Sequence, residues 1–219
     1  MPKITEEGKL RQGRGTGTGV DYKPWIFAHE VNSAGTASVV IDFKTGRDVH
    51  LLSQGEVYYY YLLRWDDTVE DIREQFPLDL KRTLEVADIL GIKHPHNRST
   101  RMTTDLLVTR VDGSLEAYSI KSDKSVLDNP RTIEKLRLEQ AYWETQGVTF
   151  YIRFKEDVNK ILVQNIIDVV SCYDIKRVQT TQDMIRYQIA HKILTQDLKK
   201  QLLDYRRLRP LLTQKGISS

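Results

Sequence analysis

Residues 102–121 read MTTDLLVTRVDGSLEAYSIK, and their reading decides the fold. Two runs, Met102–Arg110 and Leu115–Lys121, are rich in β-branched and apolar residues and flank Asp112-Gly113, a strong short-range hairpin signal. Downstream, the apolar spacing of Ile133, Leu136, Ala141 and Trp143 predicts a helix from Arg131 to Gln146 with a stop at Gly147. Val148–Phe154 reads as one more strand. Upstream, Leu80–Leu90 reads as a helix ended by Gly91, and Thr68–Phe76 as a strand stopped by Pro77. Before these, Ser53 followed by Glu56 carries a capping-box signature, and Tyr58, Tyr61, Leu62 and Trp65 give helical spacing over Gly55–Trp65. A strand over Ser38–Phe43 with a Thr45-Gly46 turn comes first. This order predicts an α/β fold with helices packed on a central mixed sheet.

The chain of 219 residues is long enough for one full domain and a small one, and 40% hydrophobic with 29% charged residues describes a globular protein with a core. No stretch approaches the roughly 20 apolar residues of a spanning helix, and the first residues carry no signal-peptide apolar run, so no membrane role is expected. The single Cys172 excludes an internal disulfide and a multi-cysteine metal site, and points to a reducing cytoplasm. Charge is uneven. Lys176–Ser219 holds ten Lys/Arg against three Asp/Glu, while the preceding residues are net acidic. A basic tail piece on an acidic body points to nucleic acid or an acidic partner. Gly13, Gly15, Gly17 and Gly19 alternate in a segment with few apolar anchors, so residues 1–21 read as a mobile arm, with contact to DNA phosphates through Arg11, Arg14 and Lys23 as a second reading. Residues 22–155 then form the main domain. Residues 156–219 form a small helical one, with helices over Asp157–Val170 and Gln182–Arg207 and a break at Pro210.

The central hairpin also carries the candidate chemistry. Alternation places Asp105, Leu107 and Thr109 on one face of the first strand, and Ser119 and Lys121 together on the second. A carboxylate on one strand with x-Lys on its antiparallel neighbour suits a metal-dependent nuclease. The carboxylate supplies hard oxygen ligands to Mg²⁺, and the lysine orients the attacking water and stabilises charge at phosphorus. Glu56, at the start of its helix, is the candidate third oxygen ligand. On spacing alone, a solvated Asp–Lys cross-strand pair is the favoured reading. Glu74 and Gln75 lie on a strand beside the hairpin, within reach of such a metal, an ion pair of Glu74 with a nearby arginine being the other reading. His94-Pro95-His96 has no third histidine or cysteine near it and reads as a loop. Of Tyr58–Tyr61, two are expected to pack, the others facing DNA or the sheet.

Tyr22-Lys23-Pro24-Trp25-Ile26, His50-Leu51-Leu52-Ser53, Val69-Glu70-Asp71-Ile72-Arg73-Glu74-Gln75, His94-Pro95, Met102-Thr103-Thr104-Asp105 and Glu134-Lys135-Leu136…Tyr142-Trp143 resemble the TnsA endonuclease subunit of heteromeric transposases. The resemblance covers residues 13–155 and, more loosely, the remainder. It implies a restriction-endonuclease-like main domain and a winged-helix-like C-terminal one. It implies Mg²⁺-dependent cleavage at the 5′ ends of a mobile element, with Mn²⁺ able to substitute and two ions in the site. The family's catalytic residues fall on Glu56, Asp105 and Lys121. Where the family has glutamine two residues before the lysine this chain has Ser119, so the remaining ligand is Ser119 itself, a water, or the Ile120 carbonyl. Glu139 matches an acidic residue that the family brings near the lysine.

The implied partners are double-stranded DNA at transposon ends, a DDE-type (TnsB-type) transposase that cuts the 3′ ends, and an AAA+ (TnsC-type) ATPase regulator, in a bacterial cytoplasm. Lys199, Lys200, Arg206, Arg207 and Arg209 are the candidate surface for DNA or the regulator. A catalytically impaired scaffold bridging transposase, regulator and DNA is the alternative that Ser119 raises, and a stand-alone nuclease of the same fold a third.

Overall fold

The hairpin around Asp112-Gly113 forms the middle of a four-stranded sheet. The structure, a computed structural model, describes residues 4–31, 37–95 and 99–212. In chain order its elements are α1 (Glu6–Arg11), β1 (Ser38–Ile41), β2 (Asp48–Leu51), α2 (Gln54–Trp65), β3 (Val69–Pro77), α3 (Leu80–Leu90), β4 (Thr103–Arg110), β5 (Leu115–Lys121), α4 (Pro130–Glu144), β6 (Thr149–Phe154), α5 (Lys160–Val170), α6 (Thr181–Ala190) and α7 (Tyr205–Leu208). Sheet order is β3-β4-β5-β6, with β6 parallel to β5 and the other pairs antiparallel. A parallel neighbour needs a crossover, and α4 supplies it. Asn129 caps α4 through the Arg131 and Thr132 N–H groups, with Pro130 at its first position. Gly91 ends α3 in the left-handed conformation, φ 64°.

Each face of the sheet has its own core. Leu107 and Ala117 pack with Leu138 and Trp143 of α4 and with Val86 of α3. Leu106, Val108, Tyr118 and Ile120 pack on the other side with Tyr60 of α2 and with Val49 and Leu51 of β2. Strand β2 pairs with β1 in a separate two-stranded sheet and is absent from the sequence expectation, in which the first strand also runs two residues too far. A four-residue strand of mixed polarity, Asp-Val-His-Leu, gives too short a pattern to read. Of the four tyrosines, Tyr60 is fully buried, and Tyr59 and Tyr61 pack against the same cluster.

Residues 5–21 are not a mobile arm in the described structure. Arg14 is buried, its guanidinium paired with Glu30 at 2.7 Å, bonded to the Trp25 carbonyl and stacked 4.3 Å from the Phe27 ring centre. That burial also removes Arg14 from any DNA-contacting role. The alternating glycines shape a turn. Gly15 sits at φ 75°, and a Cβ there would meet the Pro77 ring at 2.2 Å. From this turn the segment runs along β3, the sheet's edge strand: the Gly19 N–H reaches the Asp71 carboxylate, the Tyr22 hydroxyl the Glu74 carbonyl, and the Trp25 N–H the Gln75 carbonyl. It thereby covers an edge that would otherwise present open backbone groups.

The described residues up to Ile41, with Arg47–Asp157, make one unit; Asp42–Gly46 and the residues from Val158 onward make the second. The turn Asp42–Gly46 therefore groups with the second unit and not with the main domain. Within the second unit the helix begins at Lys160, capped by Asn159, and a 3-10 turn, Lys155–Asp157, precedes it in the first unit. The long helix expected over Gln182–Arg207 is not formed. Helix α6 stops at Ala190, Lys192 is left-handed at φ 59°, and among the described residues the short α7 and a 3-10 turn, Arg209–Leu211, follow. The reason is buried Asn165, whose amide donates to the Leu198 and Gln201 carbonyls and accepts the Leu203 N–H. These groups are satisfied across the unit, so the segment needs no helical ladder. Among its described residues the unit is helices and turns, without a strand to form a wing. No described helix is long and apolar enough to cross a membrane.

Arg14→Ala is expected to lower unfolding stability by about 3 kcal/mol, because it strands Glu30 and opens the turn. Urea titration measures it; a change within about 0.5 kcal/mol would mean that the segment is loosely held.

Candidate active site

Side chains alternate along β4, and along β3 after an irregularity between Val69 and Asp71, until one level of the sheet, and there both patterns break. On β4, Leu106 and Val108 face the α2 side and Leu107 the α4 side. Continued, the alternation would put Thr104 with Leu106 and Asp105 with Leu107. Instead the Thr104 hydroxyl donates to Glu139 on α4 and accepts from the Trp143 indole, both at 2.7 Å. The same happens on β3. Ile72 and Glu74 face the α2 side, yet Phe76 packs beside Trp143. Between them Gln75 is left-handed, φ 48°, and nearly fully buried. Glu74 pairs with Leu106 and Phe76 with Thr104, so Gln75 stands opposite Asp105.

Asp105 uses the break. The β4–β5 pairing ends at Leu106–Tyr118, and one step further the Asp105 carboxylate takes the Ile120 N–H at 2.6 Å. The side chain thus reaches across to the β5 backbone and does not share a face with Leu107 and Thr109, as unbroken alternation would have it. Lys121 follows. Its ammonium donates to the Ser119 hydroxyl (2.8 Å), the Ile120 carbonyl (3.2 Å) and Asp105 (3.5 Å). Glu56 sits in the first turn of α2. Ser53 caps its N–H as the sequence predicts, but the Glu56 carboxylate accepts the Leu52 N–H in place of Ser53's and bonds the Gln75 amide at 3.1 Å. The other end of the Gln75 amide accepts from Thr103.

Burial sets the electrostatics. Burial first, then the Asp105 charge, push the Glu56 carboxyl up to about 8. The same two causes, in that order, push Glu139 up to about 7 against the pull of Lys121, Thr104 and Ser119. Burial acts to lower the Lys121 ammonium, but Asp105, Glu139 and Glu56 outweigh it and hold it above the usual lysine value. The site therefore gathers carboxylates around one lysine in a poorly solvated place.

Of the residues read from the sequence, Asp105, Ser119, Ile120, Lys121 and Glu139 meet at the end of the β4–β5 hairpin, with Glu56 and Gln75 joined to each other beside them. Glu74 is not among them. Fully buried, it is held by both guanidinium nitrogens of Arg47 at 2.8 Å and by the His50 N–H, so it closes an ion pair across to β2. His94 is buried on the Thr83 hydroxyl, and His96 lies outside the described residues. Lys199, Lys200, Arg206, Arg207 and Arg209 belong to the second unit and are exposed, with Lys200 beside Asp197 and Arg207 beside Asp204. Sequence reasoning missed Thr104, which ties Asp105's strand to α4; the two threonines before Asp105 are the only signal of it.

Among the described residues no three His, Cys, Asp or Glu side chains are grouped to hold a metal by themselves. The donors that do converge are hard oxygens: two carboxylates and the Ile120 carbonyl. One or two carboxylates with waters and substrate phosphate is how Mg²⁺ is commonly bound, so the residues fit that ion. Ser119 fits less well, since its hydroxyl is engaged by Lys121 and Glu139.

A mixed α/β domain with a carboxylate and a lysine joined across neighbouring strands is an arrangement that a nuclease can use. Residues 66–155 match the family described as TnsA-like endonuclease N terminal. The chain is 40% identical over 161 residues to the transposon Tn7 transposition protein TnsA of Escherichia coli, a stretch covering 72% of this chain and 59% of that protein. Both comparisons support a TnsA-type protein. It spans under two thirds of the length of that relative. Asp105, Ser119, Lys121 and Glu139 lie inside the matched stretch and Glu56 just before it.

Two measurements follow. Gln75→Ala and Gln75→Gly lose the same amide, but only glycine accepts the left-handed backbone freely, so the glycine variant is expected to be the more stable by about 1 kcal/mol. Equal melting of the two would show the backbone at 75 to be unstrained. Glu56 and Glu139 bind protons more tightly folded than unfolded, so without divalent ions stability falls as pH rises from about 4.5 toward the folded values of about 7 and 8. Glu56→Gln should flatten that fall; a wild-type melting temperature flat across the window would contradict the burial argument.

Proposed function

We propose that this chain is the DNA endonuclease subunit of a heteromeric transposase, hydrolysing one phosphodiester at each transposon 5′ end during cut-and-paste transposition. The observation that supports it most is the joining of Asp105 to the Ile120 N–H and the Lys121 ammonium where the β4–β5 pairing opens. That arrangement stands in a chain whose likenesses support a TnsA-type protein.

Glu56, Asp105 and the Ile120 carbonyl would hold Mg²⁺ (or Mn²⁺), with two ions in the full site. Bound there, the ion would supply Lewis-acid stabilisation of the phosphate and lower the pKa of the attacking water. The protein's own groups do the rest. Asp105 stays fixed by the Ile120 N–H, so its free oxygen keeps its aim. Lys121 remains cationic beside the reacting phosphate, where it orients the water and offsets charge growing at phosphorus. Glu139 holds Ser119, and Ser119 holds Lys121, so α4 fixes the lysine's position. A DDE-type transposase would cut the 3′ ends. The exposed basic residues of the second unit, Lys199, Lys200, Arg206, Arg207 and Arg209, would meet DNA or an AAA+ regulator.

The competing reading, a scaffold without nuclease activity, draws on Ser119 where the family has glutamine. Here Ser119 supports the lysine, and such a link has no use in a scaffold.

The test places the protein with its transposase and regulator on a donor plasmid carrying a marked element and sequences the products. Wild type is expected to give cut-and-paste insertions. Asp105→Ala is expected to give donor–target cointegrates, with 5′ cutting reduced on the order of 10³-fold, because several kcal/mol of transition-state stabilisation are lost. Cointegrates from both would support the scaffold.

A further inference from the structure

A small cavity opens beside the cluster, on the α4 side of the sheet. Lys121 and Glu139 form one wall, and its volume is about 180 Å³. Thr132 and Lys135, on the same helix as Glu139, also line it, with Pro95, Met102 and Leu136 as the apolar part.

Donor accounting separates these residues. The three protons of the Lys121 ammonium are taken by Ser119, Ile120 and Asp105, and Thr103, also at the cavity, gives its proton to Gln75. Lys135 and Thr132 are different. Among the described residues neither side chain makes a hydrogen bond or ion pair, whereas Arg131 is paired with Glu134 and Lys124 with Asp157. Exposed Lys135 has Glu139 one turn along the same helix, yet Glu139 bonds Thr104 and Ser119 instead. An ammonium and a hydroxyl are therefore left facing one cavity with nothing to bind.

Size and lining define the ligand. The cavity is smaller than the roughly 300–1,000 Å³ pockets that enclose whole small molecules. No aromatic ring lines it, so it offers no stacking surface for a base. An ammonium and a hydroxyl beside proline, methionine and leucine suit a phosphate with an apolar sugar edge, the repeating unit of a nucleic-acid strand. Backbone contacts of this kind come from Lys and Thr side chains and fix register without reading sequence.

We propose that this cavity is a subsite for one sugar–phosphate unit of the cleaved strand, adjoining the scissile phosphate, with Lys135 and Thr132 holding its phosphate. The proposal rests on the nuclease reading for the identity of the strand. Its role is to fix how far the strand advances past Lys121, and thus which phosphate faces Asp105. Lys135 is exposed and unpartnered, so its removal leaves the fold intact.

The test is fluorescence anisotropy of the full chain with a duplex oligonucleotide, in EDTA so that no strand is cut, across a salt series. Lys135→Ala is expected to weaken binding about 10-fold at 50 mM salt and about 3-fold at 200 mM, with a salt slope smaller by about one. Lys135→Arg should restore both. Lys81→Ala, at another exposed lysine, on α3 beside Glu85, should change neither. Replacing strand phosphates one at a time by neutral methylphosphonates should reveal one position whose neutralisation weakens wild type but not Lys135→Ala. Competition by inorganic phosphate at that position's expense would instead mark a free-anion site and overturn the strand assignment. Wild type and Lys135→Ala binding alike at every salt, including no binding by either, would overturn the subsite. The two readings fail separately: an active Asp105→Ala removes the nuclease reading whatever Lys135 does, and an inactive Asp105→Ala with unaltered Lys135→Ala binding removes the subsite alone.

Discussion

The break in side-chain alternation shared by Gln75 and Asp105 is the constraint on which the site depends. A regular strand gives each residue one face or the other, and a carboxylate on either face would lie against a helix or in solvent. Turning both strands at one level frees a third direction, along the sheet toward the next strand. Asp105 takes it and replaces a ladder acceptor for the Ile120 N–H. The ladder thereby opens without leaving the buried donor unpaired, which would cost about 1–3 kcal/mol. Left-handed Gln75 carries the corresponding turn on the edge strand, and strained residues of this kind persist only where their surroundings over-determine them. Here the surroundings are visible: the Trp25 N–H holds the Gln75 carbonyl, and Glu56 and Thr103 hold its amide.

The electrostatic character of the site follows from that geometry. Asp105 lies close enough to raise both Glu56 and Glu139, and neither can move into solvent because α2 and α4 bury them. A protein selected for stability alone would not gather such groups around one lysine. In the function proposed above, a bound cation would offset the cost of gathering them. Leu52, Ser53 and Gln75 direct hydrogen bonds at the Glu56 carboxyl, all of which favour its anion.

Much of the frame was legible in the sequence. The β4–β5 hairpin, α3 with its Gly91 stop, and the Ser53 cap were readable because each signal is local. Asp105, Lys121 and Glu56 were named from strand spacing, capping position and family resemblance together. Apart from the short strand β2, whose local pattern is too brief to read, the failures were non-local. Alternation could not foresee its own interruption at Asp105, because the cause lies partly on β3 and partly in the Thr104–Glu139–Trp143 contact. Glu74 and Gln75, adjacent in sequence, parted company for the same reason: one fills an ion pair with Arg47, the other supports Glu56. In the second unit, helical periodicity over Gln182–Arg207 was overridden by Asn165, some thirty residues away from the backbone it satisfies.

The N-terminal segment shows how this misreading bears on function. Alternating glycines and few apolar residues describe disorder when composition alone is weighed, yet here the glycines allow a close approach to Pro77 at the end of β3. That approach brings Tyr22 and Trp25 onto the carbonyls of Glu74 and Gln75, the residue before the break in alternation and the residue at it. Gln75 in turn holds Glu56. The segment that composition sets apart from the main domain therefore leads straight into Trp25, which is one hydrogen bond removed from Gln75 and two from a candidate metal ligand. Loosening it would release the Gln75 backbone before disturbing either core, so the sheet edge and the site must be kept in order together.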